Sequence, residues 1–122
     1  MYDVYKEGTF SGAHRLREYE GKCESLHGHN WRVRVYARSQ ELDAAGMVID
    51  FKILKNAIDE IIEMFDHHYL NEVTPFDKIN PSAENIARFF YDRISEKIND
   101  ERVAVSRVMV WENEGSCGIF TP

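Results

Sequence analysis

Cys23, Glu24, His27 and His29 fall inside the seven residues CESLHGH, in a chain with only two cysteines and five histidines. His27 and His29 are two apart, and on strand-like sequence that spacing puts both side chains on one face. Two inward-facing imidazoles side by side can hold a zinc ion if a third ligand comes from elsewhere. His14 is the natural third ligand, because it ends the preceding strand-like segment and a hairpin lays that segment alongside. Three neutral histidines with an open fourth position describe a catalytic rather than a structural zinc site. The bland alternative is two polar residues near a strand end. Cys23 is ambiguous by itself: a fourth zinc ligand, a small buried hydrophobe, or a nucleophile or base.

A second cluster lies in MFDHHYLN. Asp66 next to His67 is a carboxylate–imidazole pair, in which the carboxylate orients the ring and stabilises its protonated form. The alternative is a helix C-terminus, where histidine favourably meets the dipole. Glu112, in VMVWENEGSCG, shares a face with Val108 and Val110 by alternation. A carboxylate on an apolar face needs a partner, and a guanidine-like group offers two parallel donors. Exposure at a strand end is the other reading.

The elements that must position these residues follow from hydrophobic period. Tyr2 to Ala13 reads as a strand, and the polar loop REYEGKCES follows it. From His29 to Arg38, residues His29, Trp31, Val33, Val35 and Ala37 alternate with polar ones, as in a half-buried strand. Asp50 reads as an N-cap ahead of Phe51, Leu54, Ile58, Ile61, Ile62 and Phe65 at helical spacing. A second helix begins near Pro81–Ser82, with Ile86, Phe89, Phe90 and Ile94 as its apolar face. Val103 to Glu112 alternates again, and Gly115 and Gly118 punctuate a final hairpin ending at Ile119–Phe120. The order ββααββ predicts a single α+β domain over residues 1–122, with a four-stranded antiparallel sheet and two helices on one face.

Composition narrows the function classes. The net charge of −6, with no arginine- or lysine-rich run, argues against nucleic acid and anionic membranes as partners. The N-terminal MYDVYKEGTF is not a secretory signal and no run reaches membrane-spanning length. Cys23 and Cys117 are therefore expected to be free thiols in a reducing cytoplasm, with Cys117 packed or at a strand turn.

Taken together, FSGAHRL, CESLHGHNW, FDHHYLN, NPSAEN and VWENEGSCGIF resemble, in order and over nearly the whole chain, the 6-pyruvoyl-tetrahydropterin synthase family. That family includes the bacterial 6-carboxy-tetrahydropterin synthases of queuosine biosynthesis. The resemblance implies a tunnelling fold, a homohexamer of two trimers with active sites between subunits, and 7,8-dihydroneopterin triphosphate as substrate. It implies zinc on His14, His27 and His29, Cys23 as the base, and Asp66 with His67 as relay and proton donor. It also implies that Glu112 anchors the pterin's guanidine-like edge and that Ser82 and Glu84 belong to the substrate site. The short Cys23-to-His27 spacing looks like the queuosine branch, which yields 6-carboxy-5,6,7,8-tetrahydropterin with loss of acetaldehyde and triphosphate. Glu24 beside Cys23 resembles a subgroup for which a second activity is implied, cleavage to 6-hydroxymethyl-7,8-dihydropterin for folate synthesis. The mammalian-type reaction to 6-pyruvoyl-tetrahydropterin is a further alternative. A zinc-holding, pterin-binding module without turnover is the alternative of a different class.

Overall fold

The computed structural model describes residues 1–20 and 24–122; Cys23, the expected base, lies outside them. The chain runs β1 (Tyr2–His14), β2 (His27–Ser39), α1 (Phe51–Phe65), β3 (His68–Tyr69), α2 (Ala83–Ile98), β4 (Ala104–Asn113) and β5 (Ser116–Phe120). A short 3-10 turn, Leu70–Glu72, follows β3. One sheet has the order β3-β1-β2-β4-β5. The α+β class and both helices are as the periodicity predicts. The sheet has five strands, however, not four: β3 adds a parallel edge, pairing Gly12 with His68 and Ala13 with Tyr69. Two residues are too few for alternation to reveal a strand.

Both helices start where their caps say. The Asp50 side chain accepts from the Lys52 amide, and that of Ser82 from the Asn85 amide. Each helix buries one stripe, Leu54, Ile58, Ile61 and Phe65 on α1 and Ile86, Phe90 and Ile94 on α2. The α1 stripe closes over β1 and the α2 stripe over β4 and β5, covering an inward face on which Trp31, Val33, Val35, Ala37, Val105, Val108 and Val110 are buried. Each fully buried aliphatic or aromatic side chain contributes about 1.5–3 kcal/mol. Among the described residues, no helix is long and apolar enough to cross a membrane.

Among the described residues, the opposite face of the sheet carries no helix. There arginines lie over aromatic rings, Arg32 at 4.0 Å from Trp111, Arg34 at 4.3 Å from Tyr5 and Arg107 at 5.6 Å from Tyr36. The guanidinium planes sit over the ring faces while their stems cover ring surface. Two irregularities interrupt the pairing of β4, and the first also shifts its alternation. Tyr36 pairs with Arg107 but Ala37 with Val105, leaving Ser106 as an extra residue. Trp111 pairs with Cys117 but Asn113 with Ser116, leaving Glu112 out of the ladder. Such bulges bend a strand, and beyond Ser106 the alternation resumes with Val108, Val110 and Glu112 on one face, as expected.

Candidate functional site

His14 and His27 are direct cross-strand partners at the end of the β1–β2 hairpin, and Gly12 faces His29 in the same ladder. Their common face ends on Trp31, which is fully buried and forms the floor. The indole stands edge-on to His14 at 4.9 Å and to His29 at 5.4 Å, and donates Nε1–H to the Gly12 carbonyl at 3.1 Å. Phe10 stacks on it from below at 5.9 Å. The rings therefore stand on a rigid aromatic base.

Backbone carbonyls decide which nitrogens face one another. His14 Nδ1 lies 2.8 Å from the Pro81 carbonyl, and His27 Nδ1 lies 2.7 Å from the Ser25 carbonyl. A carbonyl only accepts, so both Nδ1 atoms carry the proton. In the neutral rings both Nε2 atoms then present lone pairs, and they point at each other across 3.0 Å. His29 Nε2 is buried without a hydrogen-bond partner among the described residues. Burial holds the His29 pKa below its ordinary value, against the pull of Glu112, which favours the charged form. Glu112 Oε1 joins the group at 3.0 Å from His14 Nε2 and 3.3 Å from His29 Nε2. All four donor atoms lie within 4.8 Å of one another. Electron-rich atoms converging on one point are stabilised by a cation between them, and this group could hold one. Three imidazole nitrogens and a carboxylate oxygen suit zinc or a similar divalent ion.

The remaining sequence-predicted residues surround this cluster. Glu24 Oε1 accepts from the Leu16 amide at 3.2 Å and lies 3.7 Å from His27 Nε2, so Glu24 faces the histidines. Ser82 and Glu84 line a cleft of about 520 Å³ together with His14, Glu112, Cys117 and Gly118. The Ser82 hydroxyl oxygen is engaged as the cap of α2. Cys117 is exposed rather than packed and lies beside the β4–β5 turn, the second of the two expected placements.

Asp66 and His67 line separate cleft walls, and a second cleft of about 530 Å³ brings His67 together with His29, Ser11 and Asn30. The pair itself is made: His67 Nδ1 lies 3.1 Å from Asp66 Oδ2. Asp66 Oδ1 accepts from the Ser11 amide at 2.9 Å, which holds its pKa below the ordinary carboxylate value, with His67 adding to the effect. The His67 amide in turn donates to the Ser11 carbonyl at 2.7 Å, fixing a left-handed backbone at His67 with φ of 59°. That conformation is uncommon for a residue with a Cβ and marks a position held by its surroundings.

Sequence reasoning misses the supports. Asn71 accepts from the Arg15 amide at 3.0 Å and donates to the Arg15 carbonyl at 2.9 Å. Asn80 does the same to Arg17, at 2.8 Å each way. The Arg17 guanidinium donates to the carbonyls of Phe76 at 2.8 Å and Ile79 at 3.2 Å. Two side-chain amides thus stand in for a missing strand beside the segment that follows His14.

The sequence profile of the 6-pyruvoyl tetrahydropterin synthase family matches residues 3–122. This chain belongs to that family. The 6-carboxy-5,6,7,8-tetrahydropterin synthase of Synechocystis is 40% identical to it over 101 residues, 79% of this chain and 77% of the relative. The Haemophilus influenzae protein of the same name is 33% identical over 139 aligned positions, 95% of this chain and 96% of the relative. The structure of Caenorhabditis elegans 6-pyruvoyl tetrahydropterin synthase superposes with a TM-score of 0.83 at 21% identity, covering 99% of this chain and 95% of that one. The expected tunnelling fold of the family is therefore the fold observed, with the short β3 as an addition at its edge.

Proposed function

We propose that the protein is a zinc-dependent lyase that converts 7,8-dihydroneopterin triphosphate to 6-carboxy-5,6,7,8-tetrahydropterin, with loss of acetaldehyde and triphosphate, in the queuosine pathway. The observation that carries this reading is the pair of Nε2 lone pairs on His14 and His27, held 3.0 Å apart by carbonyls that fix both rings. The names of the relatives from Synechocystis and Haemophilus influenzae support the choice of product.

His14, His27 and His29 would hold the zinc. When bound, zinc supplies Lewis acidity that makes the side-chain hydroxyls of the substrate more acidic and stabilises enolate-like charge. Cys23, as thiolate, removes a proton from the substrate side chain. Asp66, fixed by the Ser11 amide, orients His67, which returns a proton on the other face. Glu112 accepts from the guanidine-like N2/N3 edge of the pterin, and Ser82 and Glu84 wall the cleft beside it. Sites shared between subunits of a homohexamer bring Cys23 and the Asp66–His67 pair to one substrate from different chains. The protein acts as a single domain in the cytoplasm.

Glu24 supports a second reading, cleavage of the same substrate to 6-hydroxymethyl-7,8-dihydropterin. Its carboxylate faces His27 at 3.7 Å and is held there by the Leu16 amide, which is where a second base would stand. One assay separates these readings. Zinc-loaded protein is incubated with 7,8-dihydroneopterin triphosphate and the pterins are identified by mass spectrometry, with Cys23→Ala and Glu24→Ala alongside. The proposal expects 6-carboxy-tetrahydropterin from the wild type and none from Cys23→Ala. A 6-hydroxymethyl product that vanishes only in Glu24→Ala favours the second reading. Zinc uptake with no turnover of this substrate leaves a pterin-binding module.

A further inference from the structure

Glu112 shares the inward face of Val108 and Val110, and that alternation carries its carboxylate to the histidines at the end of the sheet. Its position there has the spacing of a ligand. In a tetrahedral zinc site with bonds of ~2.0–2.1 Å, neighbouring donor atoms stand about 3.3 Å apart. Glu112 Oε1 lies 3.0 Å from His14 Nε2 and 3.3 Å from His29 Nε2, while the His14–His27 edge is 3.0 Å. His29 Nε2 makes no hydrogen bond among the described residues although the carboxylate is that close.

We propose that Glu112 is the fourth ligand of the resting metal centre and that arriving substrate opens the centre by displacing it. The inference rests on the metal-centre reading above and adds a second role for this side chain. A site with four protein ligands is closed, in the manner of a structural zinc, whereas catalysis needs an open position. Three neutral imidazoles leave a divalent ion its formal charge of two, and the carboxylate lowers that to one. Departure of Glu112 restores the full charge at the moment acidic hydroxyls are needed. The side chain has room to leave: it is 30% exposed and lines the cleft shared with Ser82 and Glu84. A pterin in that cleft offers the displaced carboxylate two donors.

The test uses cobalt(II) as a spectroscopic probe. Metal-free wild type, Glu112→Gln, Glu112→Ala and His29→Ala are titrated with cobalt, followed by zinc in competition, after circular dichroism has matched their folds. The proposal expects the visible bands of both Glu112 variants to differ from those of the wild type. It also expects their zinc affinity to fall by at least the about 10–100-fold that loss of an outer-shell partner costs. Glu112→Gln keeps the shape of the side chain, so a change shared by both variants is a loss of ligand charge. Identical spectra and affinities in wild type and both Glu112 variants, with His29→Ala impaired, overturn the fourth ligand and leave the centre standing. A wild type that takes up no cobalt or zinc overturns both.

Discussion

Replacing Asn71 by alanine tests whether side-chain amides position the segment after His14. Asn71 is buried, 7% exposed, and its amide makes two hydrogen bonds to the backbone of Arg15. Each such bond contributes a net ~1 kcal/mol, and a backbone group left without a partner costs ~1–3 kcal/mol if water does not reach it. Arg15 is exposed on its side-chain side, so water recovers part of the loss, and the expected destabilisation is about 2–3 kcal/mol. Asn71→Asp is the sharper variant. It keeps the acceptor for the Arg15 amide but sets a carboxylate oxygen against the Arg15 carbonyl, where a donor now spans 2.9 Å. Aspartate should therefore be at least as destabilising as alanine, although it is the closer match in shape. Urea unfolding at fixed subunit concentration measures both, with an unchanged m-value as the check on two-state behaviour. Zinc affinity is the second readout, because Arg15 adjoins His14. A loss below ~1 kcal/mol in Asn71→Ala, or recovery of most of the loss in Asn71→Asp, refutes the clamp.

Saturating metal should raise thermal stability: at 100 times the Kd the gain is ~2.7 kcal/mol. For a chain of this length that is a rise of about 10 °C in Tm, reversed by chelation and absent in His27→Ala by differential scanning fluorimetry. Gly118→Ala should destabilise by ~1–3 kcal/mol and weaken metal binding, since overpacking forces backbone to shift. An added Cβ would lie 2.8 Å from the Ala83 carbonyl carbon and the Glu84 nitrogen, at the start of α2 and just after Pro81, whose carbonyl orients His14; calorimetry and zinc competition measure the two effects. In the metal-free protein His29 has a lowered pKa, so the unfolded chain binds its proton first as pH falls below the ordinary 6.5. Stability should therefore decline from that pH down to the depressed folded value and level off beneath it. Urea titrations of metal-free wild type and His29→Gln should show a shallower decline in the variant.

What the sequence reveals is what repeats along one strand or helix. Alternation through Trp31, Val33, Val35 and Ala37 orients His27 and His29, and the hairpin brings His14 opposite His27. Asp50 and Ser82 cap the helices they announce. The exceptions are contacts between segments and single-residue irregularities. The extra residues Ser106 and Glu112 in β4 leave no compositional trace. The carbonyls of Pro81 and Ser25 are backbone atoms with no side-chain signature, yet they select the tautomers of two histidines. Asn71 and Asn80 lie between the two helices, and their partners are more than fifty residues earlier. Glu112 is legible as a carboxylate needing a partner on the face of Val108 and Val110, and on that face it meets the histidines.

The order of the ligands along the chain bears on how the protein folds. His14, His27 and His29 belong to a single hairpin, whereas Glu112 arrives from a strand near the other end. Local contacts form early, and a hairpin alone is marginal in water. A metal ion captured by the three histidines would clip that hairpin before α1, α2 and β4 have docked, because metal binding free energy is also folding free energy. The carboxylate would then close the site last, so its arrival marks completion of the sheet.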